Sequence, residues 1–251
     1  MNKNLLRTLP ISILAVVVSC SSPSFGGVII YRDRLKSSDS KEPPHRASRC
    51  PLIEIIQRHR IRWGPLVEPQ DVSCRASFVD IDDLDRGLRT HIDYTTRSYT
   101  EDSFPEPPLE GVNGIGIGKL NPTGRRRKIA GYSCEEYRGS GESAHWGVST
   151  EVDCISTDAP GVAEFDQVIN LLRPLYQKAG YSDFTRETLD YPDFVPYAPP
   201  HGVSGIPLES LIDCCGGLSG YAVTRIELRN IPASAFEPPA GFMKMCDGRC
   251  D

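Results

Sequence analysis

No stretch of this sequence is apolar over the roughly 20 residues that a membrane-spanning helix needs. Its most apolar run, residues 9–18, is half that length and is interrupted by Pro10 and Ser12. Such a run fits the core of an export signal, with Lys3 and Arg7 as its positive lead. Positive charge is scarce as well. Removing residues 1–19 takes Lys3 and Arg7 from the 28 basic residues and nothing from the 33 acidic ones, which leaves 26 against 33, a net −7. That balance excludes general nucleic-acid binding, which needs a basic surface. There is no acceptor for asparagine-linked glycans, because Asn121-Pro122-Thr123 is blocked by its proline.

Complete catalytic motifs are also missing. Residues 112–119, VNGIGIGK, fail as a phosphate loop, since Asn113 and Leu120 stand where a glycine and a Ser or Thr are required. They fail as a dinucleotide fingerprint because Lys119 replaces the last glycine. Gly202-Val203-Ser204-Gly205 and Gly217-Leu218-Ser219-Gly220 each lack one glycine of a nucleophile elbow and read as turns. His45, His59, His91, His145 and His201 are scattered, with no cysteine or carboxylate at metal-ligand spacing. Asp82, Asp83 and Asp85 lack the glycine and distal glutamate of a calcium loop and read as a solvated turn. The expectation is a non-enzymatic protein with no metal and no cofactor.

Cysteine is what the chain has in quantity. Val17-Val18-Ser19-Cys20 resembles a bacterial lipobox, which would make Cys20 the lipidated first residue. The other route is cleavage after Gly26 or Gly27. The lipobox is preferred, giving a signal over 1–19, a tether over 20–27 and a single domain over 28–251. On either route Cys50, Cys74, Cys134, Cys154, Cys214, Cys215, Cys246 and Cys250 remain. An even set in an exported chain points to disulfides. Cys50–Cys74 is the preferred single pairing, closing an insertion over about 37–73. Cys134 is expected as a buried disulfide half rather than a nucleophile.

The mature chain is rich in strand and turn signals. Residues 28–35 form a first strand candidate. Pro51 could open a short helix with Leu52, Ile55 and Ile56 on one face. Residues 74–81, 88–94 and 97–101 suggest an antiparallel meander. Asn121-Pro122-Thr123-Gly124 has turn chemistry, so Arg125-Arg126-Arg127-Lys128 becomes the wet start of a strand. A tight reversal at Gly139-Ser140-Gly141-Glu142 would pair 125–138 with 144–150. If Tyr132, Cys134 and Tyr137 all face inward, a bulge near Glu135-Glu136 is needed. Val162, Phe165, Val168, Ile169, Leu172, Leu175 and Tyr176 recur at helical spacing, with Pro174 placed to kink the end and Gly180 to stop it. Residues 206–213 and 221–230 suggest a last hairpin. The fold class is α+β: a curved antiparallel half-barrel with one main helix on its concave face.

Ile129-x-Gly131-Tyr132-x-Cys134-x-x-Tyr137, followed by Trp146-x-Val148, resembles a bacterial envelope family, domain-of-unknown-function family 4412. Asp82-x-x-Asp85-Arg86 through His91-Ile92-Asp93 to Tyr99 resembles its early hairpins. Gly205-Ile206-Pro207-Leu208 resembles its late strand, and Ile231-Pro232-x-Ser234-x-Phe236-x-x-Pro239-Ala240-Gly241-Phe242 its closing signature. The family is similar in architecture to periplasmic lipoprotein carriers, half-barrels around an apolar cavity. The resemblance implies an apolar ligand, a lipid or acyl chain, in a periplasmic or outer-membrane protein. Tyr181, Phe184, Tyr191, Phe194 and Tyr197 are the candidate cavity mouth. A disulfide-stiffened interaction protein with a filled core is the alternative, and a hydrolase ranks last.

Overall fold

A computed structural model describes residues 26–37, 43–46, 51–65, 78–104, 120–143, 147–179, 203–214 and 217–245. The strands are β1 (Val28–Ser37), β2 (His45–Arg46), β3 (Leu52–Gln57), β4 (Arg60–Pro65), β5 (Phe78–Asp83), β6 (Leu88–Asp93), β7 (Ser98–Ser103), β8 (Asn121–Ile129), β9 (Tyr132–Ser143), β10 (Gly147–Ser156), β11 (Ile206–Cys214), β12 (Gly217–Leu228) and β13 (Met243–Lys244). One helix, α1 (Val162–Ala179), joins β10 to β11.

All strands belong to one curved, unclosed sheet, ordered β13-β7-β6-β5-β4-β3-β1-β12-β11-β10-β9-β8, with β2 paired to β1. Every neighbouring pair is antiparallel except β13 with β7. The first described strand, β1, is therefore central, with one meander on each side. This is mostly sheet with one helix, in keeping with the α+β half-barrel expectation.

Strand alternation sends the central residues to two different layers. Val28 and Ile30 of β1, Ile56 of β3, and Ile61 and Trp63 of β4 pack with Phe165, Val168, Ile169 and Leu172 of α1. Ile29, Ile53, Ile55, Val79, Ile81 and Ile92 face the other way and pack with Ile231 and Phe236. The C-terminal segment is pinned across that far face by polar groups. Gln57 donates to the carbonyl of Ile231 at 3.0 Å and Arg62 to that of Ala235 at 3.0 Å. Arg60 lies over the Phe236 ring at 5.1 Å. At the start of α1, Gly161 holds φ +85°, and a Cβ there would meet Val28 Cγ2 at 2.4 Å, so only glycine lets the helix sit this close.

The structure changes several expectations. The residues after Pro51 form β3, not a helix. Ile53 and Ile55 face one layer and Ile56 the other, because a central strand is apolar on both faces and imitates helical spacing over six residues. The stretch read as an insertion supplies β2, β3 and β4. Gly139-Ser140-Gly141-Glu142 is the interior of β9, where Ser140 pairs with Thr150 and Gly139 with Glu151. The expected pairing survives as β9 with β10, whose register starts at Ser143 opposite Gly147, and a separate reversal at Ala130-Gly131, both with positive φ as a two-residue hairpin turn requires, joins β8 to β9. Asn121-Pro122-Thr123-Gly124 lies inside β8, which slips in register between Pro122 and Arg126. No slip falls at Glu135-Glu136, so Tyr132 and Cys134 share one face and alternation turns Tyr137 to the other.

Candidate functional site

The helix-side face is apolar at β1 and charged at β6. One row of directly opposed residues runs Ile30, Glu54, Trp63, Asp80, His91, Thr100. The next runs Val28, Ile56, Ile61, Asp82, Arg89, Asp102. The cause is local sequence. In β5, Val79 and Ile81 alternate with Asp80 and Asp82, so the apolar pair goes to the far face and the acids to the helix side.

These charges are buried and mostly paired. Arg32 Nη2 lies 3.0 Å from Glu54 Oε2, and Arg32 Nη1 donates to the carbonyl of Pro207 at 2.8 Å. Arg32 is 4% exposed and Glu54 5%. The second carboxylate oxygen, Glu54 Oε1, has no hydrogen-bond partner among the described residues. Asp82, fully buried, accepts from Arg89 Nε at 2.7 Å and Nη2 at 3.0 Å. Burial pushes the Asp82 carboxyl above the ordinary range, and Arg89 only partly offsets that. The Arg89 guanidinium covers the rings of Phe104 at 4.5 Å and Trp63 at 5.5 Å. His91 Nδ1 meets Asp80 Oδ1 at 2.5 Å, and that bond raises the imidazole above its ordinary value. The His91 ring stacks on Phe78 at 4.6 Å.

Thr100, opposite His91, donates its hydroxyl to Asp102 at 3.2 Å, so it is not aimed at the imidazole as a nucleophile. Among the described residues no group of three or more histidine, cysteine, aspartate or glutamate side chains could hold a metal.

The other half of the sheet carries a second cluster. Cys134 of β9 and Cys154 of β10 form a disulfide with Cα atoms 5.3 Å apart, both buried in the layer that packs on α1. Beside them Arg127 of β8 reaches Glu209 of β11 at 2.6 Å and approaches Glu136 of β9 at 3.8 Å. Three strand spacings separate β8 from β11, about 14 Å on a flat sheet. In the curved sheet the Arg127 and Glu209 side chains bridge that span.

The cysteine expectation is met at Cys134 and Cys154. Cys214 ends β11, with its side chain outside the described residues. Cys20, Cys50, Cys74, Cys215, Cys246 and Cys250 lie outside them too, as does the Cys50–Cys74 pairing. The same holds for Tyr181, Phe184, Tyr191, Phe194 and Tyr197. Asp82 corrects the reading of a solvated turn: it is buried inside β5, which runs on through Asp83, and only residues 84–87 form the turn. The histidines are less isolated than their spacing implied, since His91 meets Asp80 and His59 meets Asp85 at 2.7 Å. The charged floor of Arg32, Glu54, Asp80, Arg89 and His91 was missed. Its visible signal was a charge set inside an apolar strand, Arg32 after VIIY and Glu54 within LIEII.

No known protein family matches the chain, and no curated protein does. Among solved structures, PNGF-II in two crystal forms is similar at TM-score 0.42 and 10% identity. The matches cover 88% and 87% of this chain and 31% of PNGF-II in each case, so the chain spans about a third of that protein. A domain named for outer membrane lipoprotein sorting, from Vibrio parahaemolyticus, is similar at TM-score 0.33 and 6% identity, over 86% of this chain and 91% of that one. Likeness at this level assigns neither ancestry nor function. No helix among the described residues is long and apolar enough to cross a membrane.

Proposed function

We propose that this is a non-enzymatic, exported envelope protein that binds a lipid or acyl chain between its sheet and helix α1. In this reading α1 lies in the hollow of the half-barrel. Support comes from the bridge between Arg127 and Glu209, which fits a concave face on the side of Cys134 and Cys154 in that half. The signal and lipobox at Cys20 would export the protein and anchor it in the envelope; nucleic acid has no part.

The observation that carries the reading is the division of the helix-side face. An apolar floor at Val28, Ile30, Ile56 and Val223 adjoins a charged one at Glu54, Asp80, Asp82, Arg89 and His91. An amphiphile matches both. Its chain contributes about 0.8 kcal/mol per buried methylene, and its head meets Glu54 Oε1, a buried acceptor without a partner among the described residues. The test is mass spectrometry of lipid extracted from protein purified from its own envelope, with uptake of a fluorescent fatty acid. Co-purifying amphiphile with saturable uptake supports the reading; neither being seen refutes it.

A second reading, a disulfide-stiffened interaction protein with a filled core, is favoured by the disulfide lying inside the layer that packs on α1. It predicts no uptake and no extracted lipid.

A further inference from the structure

Strand β8 ends the sheet, so one of its edges has no neighbouring strand among the described residues. It carries Arg125, Arg126, Arg127 and Lys128 in succession. Arg127 turns inward to Glu209 and Glu136. Arg125, Arg126 and Lys128 are exposed, and none of them makes an ion pair among the described residues. Arg126 and Lys128 stand opposite Glu135 and Ser133, on the face away from Cys134. Arg125 sits in the register slip that follows Pro122, where it projects from the ladder. Across the hairpin, Arg138 of β9 is exposed too, and Glu135 is the one acid in register with the free cations. A chain with five more acids than bases has thus gathered uncompensated positive charge on one hairpin.

The topology says what that hairpin meets. Val28 pairs with Leu228, Ser156 with Ile206, and Ile129 with Tyr132. The start of β1 and the turn of the β8–β9 hairpin therefore lie at the same end of the sheet. They are five strand spacings apart, about 24 Å if flat and less where the sheet curves. On the proposed lipobox reading, Cys20 is eight residues before Val28, a reach of about 28 Å at full extension. A domain held that close to a bilayer by its β1 end presents the cationic turn to the same surface.

We propose that the β8–β9 hairpin is the face on which the protein lies against an anionic bilayer, with Arg125, Arg126 and Lys128 contacting headgroup phosphates. Each basic side chain near such a surface raises affinity about fivefold, so three contribute on the order of a hundredfold at low salt. An acidic protein strand added to the β8 edge is the competing partner.

The test uses the full chain and its triple variant Arg125→Gln, Arg126→Gln, Lys128→Gln. Each is measured on vesicles of phosphatidylcholine alone and of phosphatidylcholine with a third phosphatidylglycerol. Any acyl anchor acts equally in both vesicles, so the affinity ratio reports the cations alone. The expected ratio is on the order of a hundred at low salt for the natural chain, close to one in high salt and close to one for the variant. A ratio near one for the natural chain overturns the proposal. So does an unchanged ratio in the variant, or saturation by polyglutamate with no response to vesicles. A lysine-for-arginine variant, Arg125→Lys and Arg126→Lys, keeps charge and should keep the ratio even if the triple variant folds poorly. Fatty-acid uptake by the triple variant separates the outcomes: uptake kept with the ratio lost supports the hairpin contact in a folded protein, whereas uptake absent from both chains with the ratio high in the natural chain and lost in the variant fails the ligand reading alone.

Discussion

Arg32→Met should be among the most damaging single changes in the sheet. Arg32 and Glu54 are each about nineteen-twentieths buried and meet diagonally across β1 and β3, where Arg32 is opposite Leu52 and Glu54 opposite Ile30. Removing the guanidinium leaves the Glu54 carboxylate buried with neither oxygen partnered among the described residues, and takes the donor from the carbonyl of Pro207. Breaking one side of a buried ion pair costs about 3–5 kcal/mol. For a chain of this size that lowers the melting temperature by on the order of 10 °C. The partner double variant Arg32→Met with Glu54→Leu removes the stranded charge and should recover most of the loss, since an apolar replacement of a buried pair is often neutral. The assay is urea unfolding followed by intrinsic fluorescence, under oxidising conditions, for the natural chain, both single variants and the double. A loss below about 1 kcal/mol for Arg32→Met, or a double variant as weak as the summed singles, would refute the claim that this pair is desolvated and coupled.

Two further outcomes follow from the same layer. Replacing Cys134 and Cys154 by alanine opens a link between residues 20 apart in sequence, which should lower stability by about 3 kcal/mol in the chain-entropy account; unfolding with and without reductant measures it, and the reductant should then have less effect on the variant. His91 gives a pH dependence. Its bond to Asp80 raises the folded imidazole above 6.5, so its stabilisation is complete below 6.5 and fades as pH rises through the folded value. Unfolding midpoints from pH 6 to 9 should fall for the natural chain more steeply than for His91→Gln, and parallel curves would count against the Asp80–His91 bond.

The helix was legible because its apolar residues repeat at three and four over eighteen positions, long enough to separate it from a strand. The hairpins from Leu88 to Ser103 were legible because alternation and turn residues agreed. Strand β3 was not, since Ile53, Ile55 and Ile56 carry no alternation when both faces are covered. The β9 reversal was misplaced because glycines also occur inside strands. The Arg32–Glu54 pair, 22 residues apart, and the Asp82–Arg89 pair are set by register, which no local spacing reveals.

By itself the sequence determined the acidic balance, the helix and the alternating strands, all of which depend on composition or on residues close together in the chain. It also placed four cations in a row at Arg125. Only the tertiary structure decided that β1 sits at the sheet's centre, that Cys134 meets Cys154, that acids of β5 end up buried, and that one of those cations turns inward while three stay exposed on an edge strand with no ion pair among the described residues. Those outcomes rest on which strands pair and in which register, and pairing is settled by burying two apolar layers at once, a property of the whole sheet rather than of any segment.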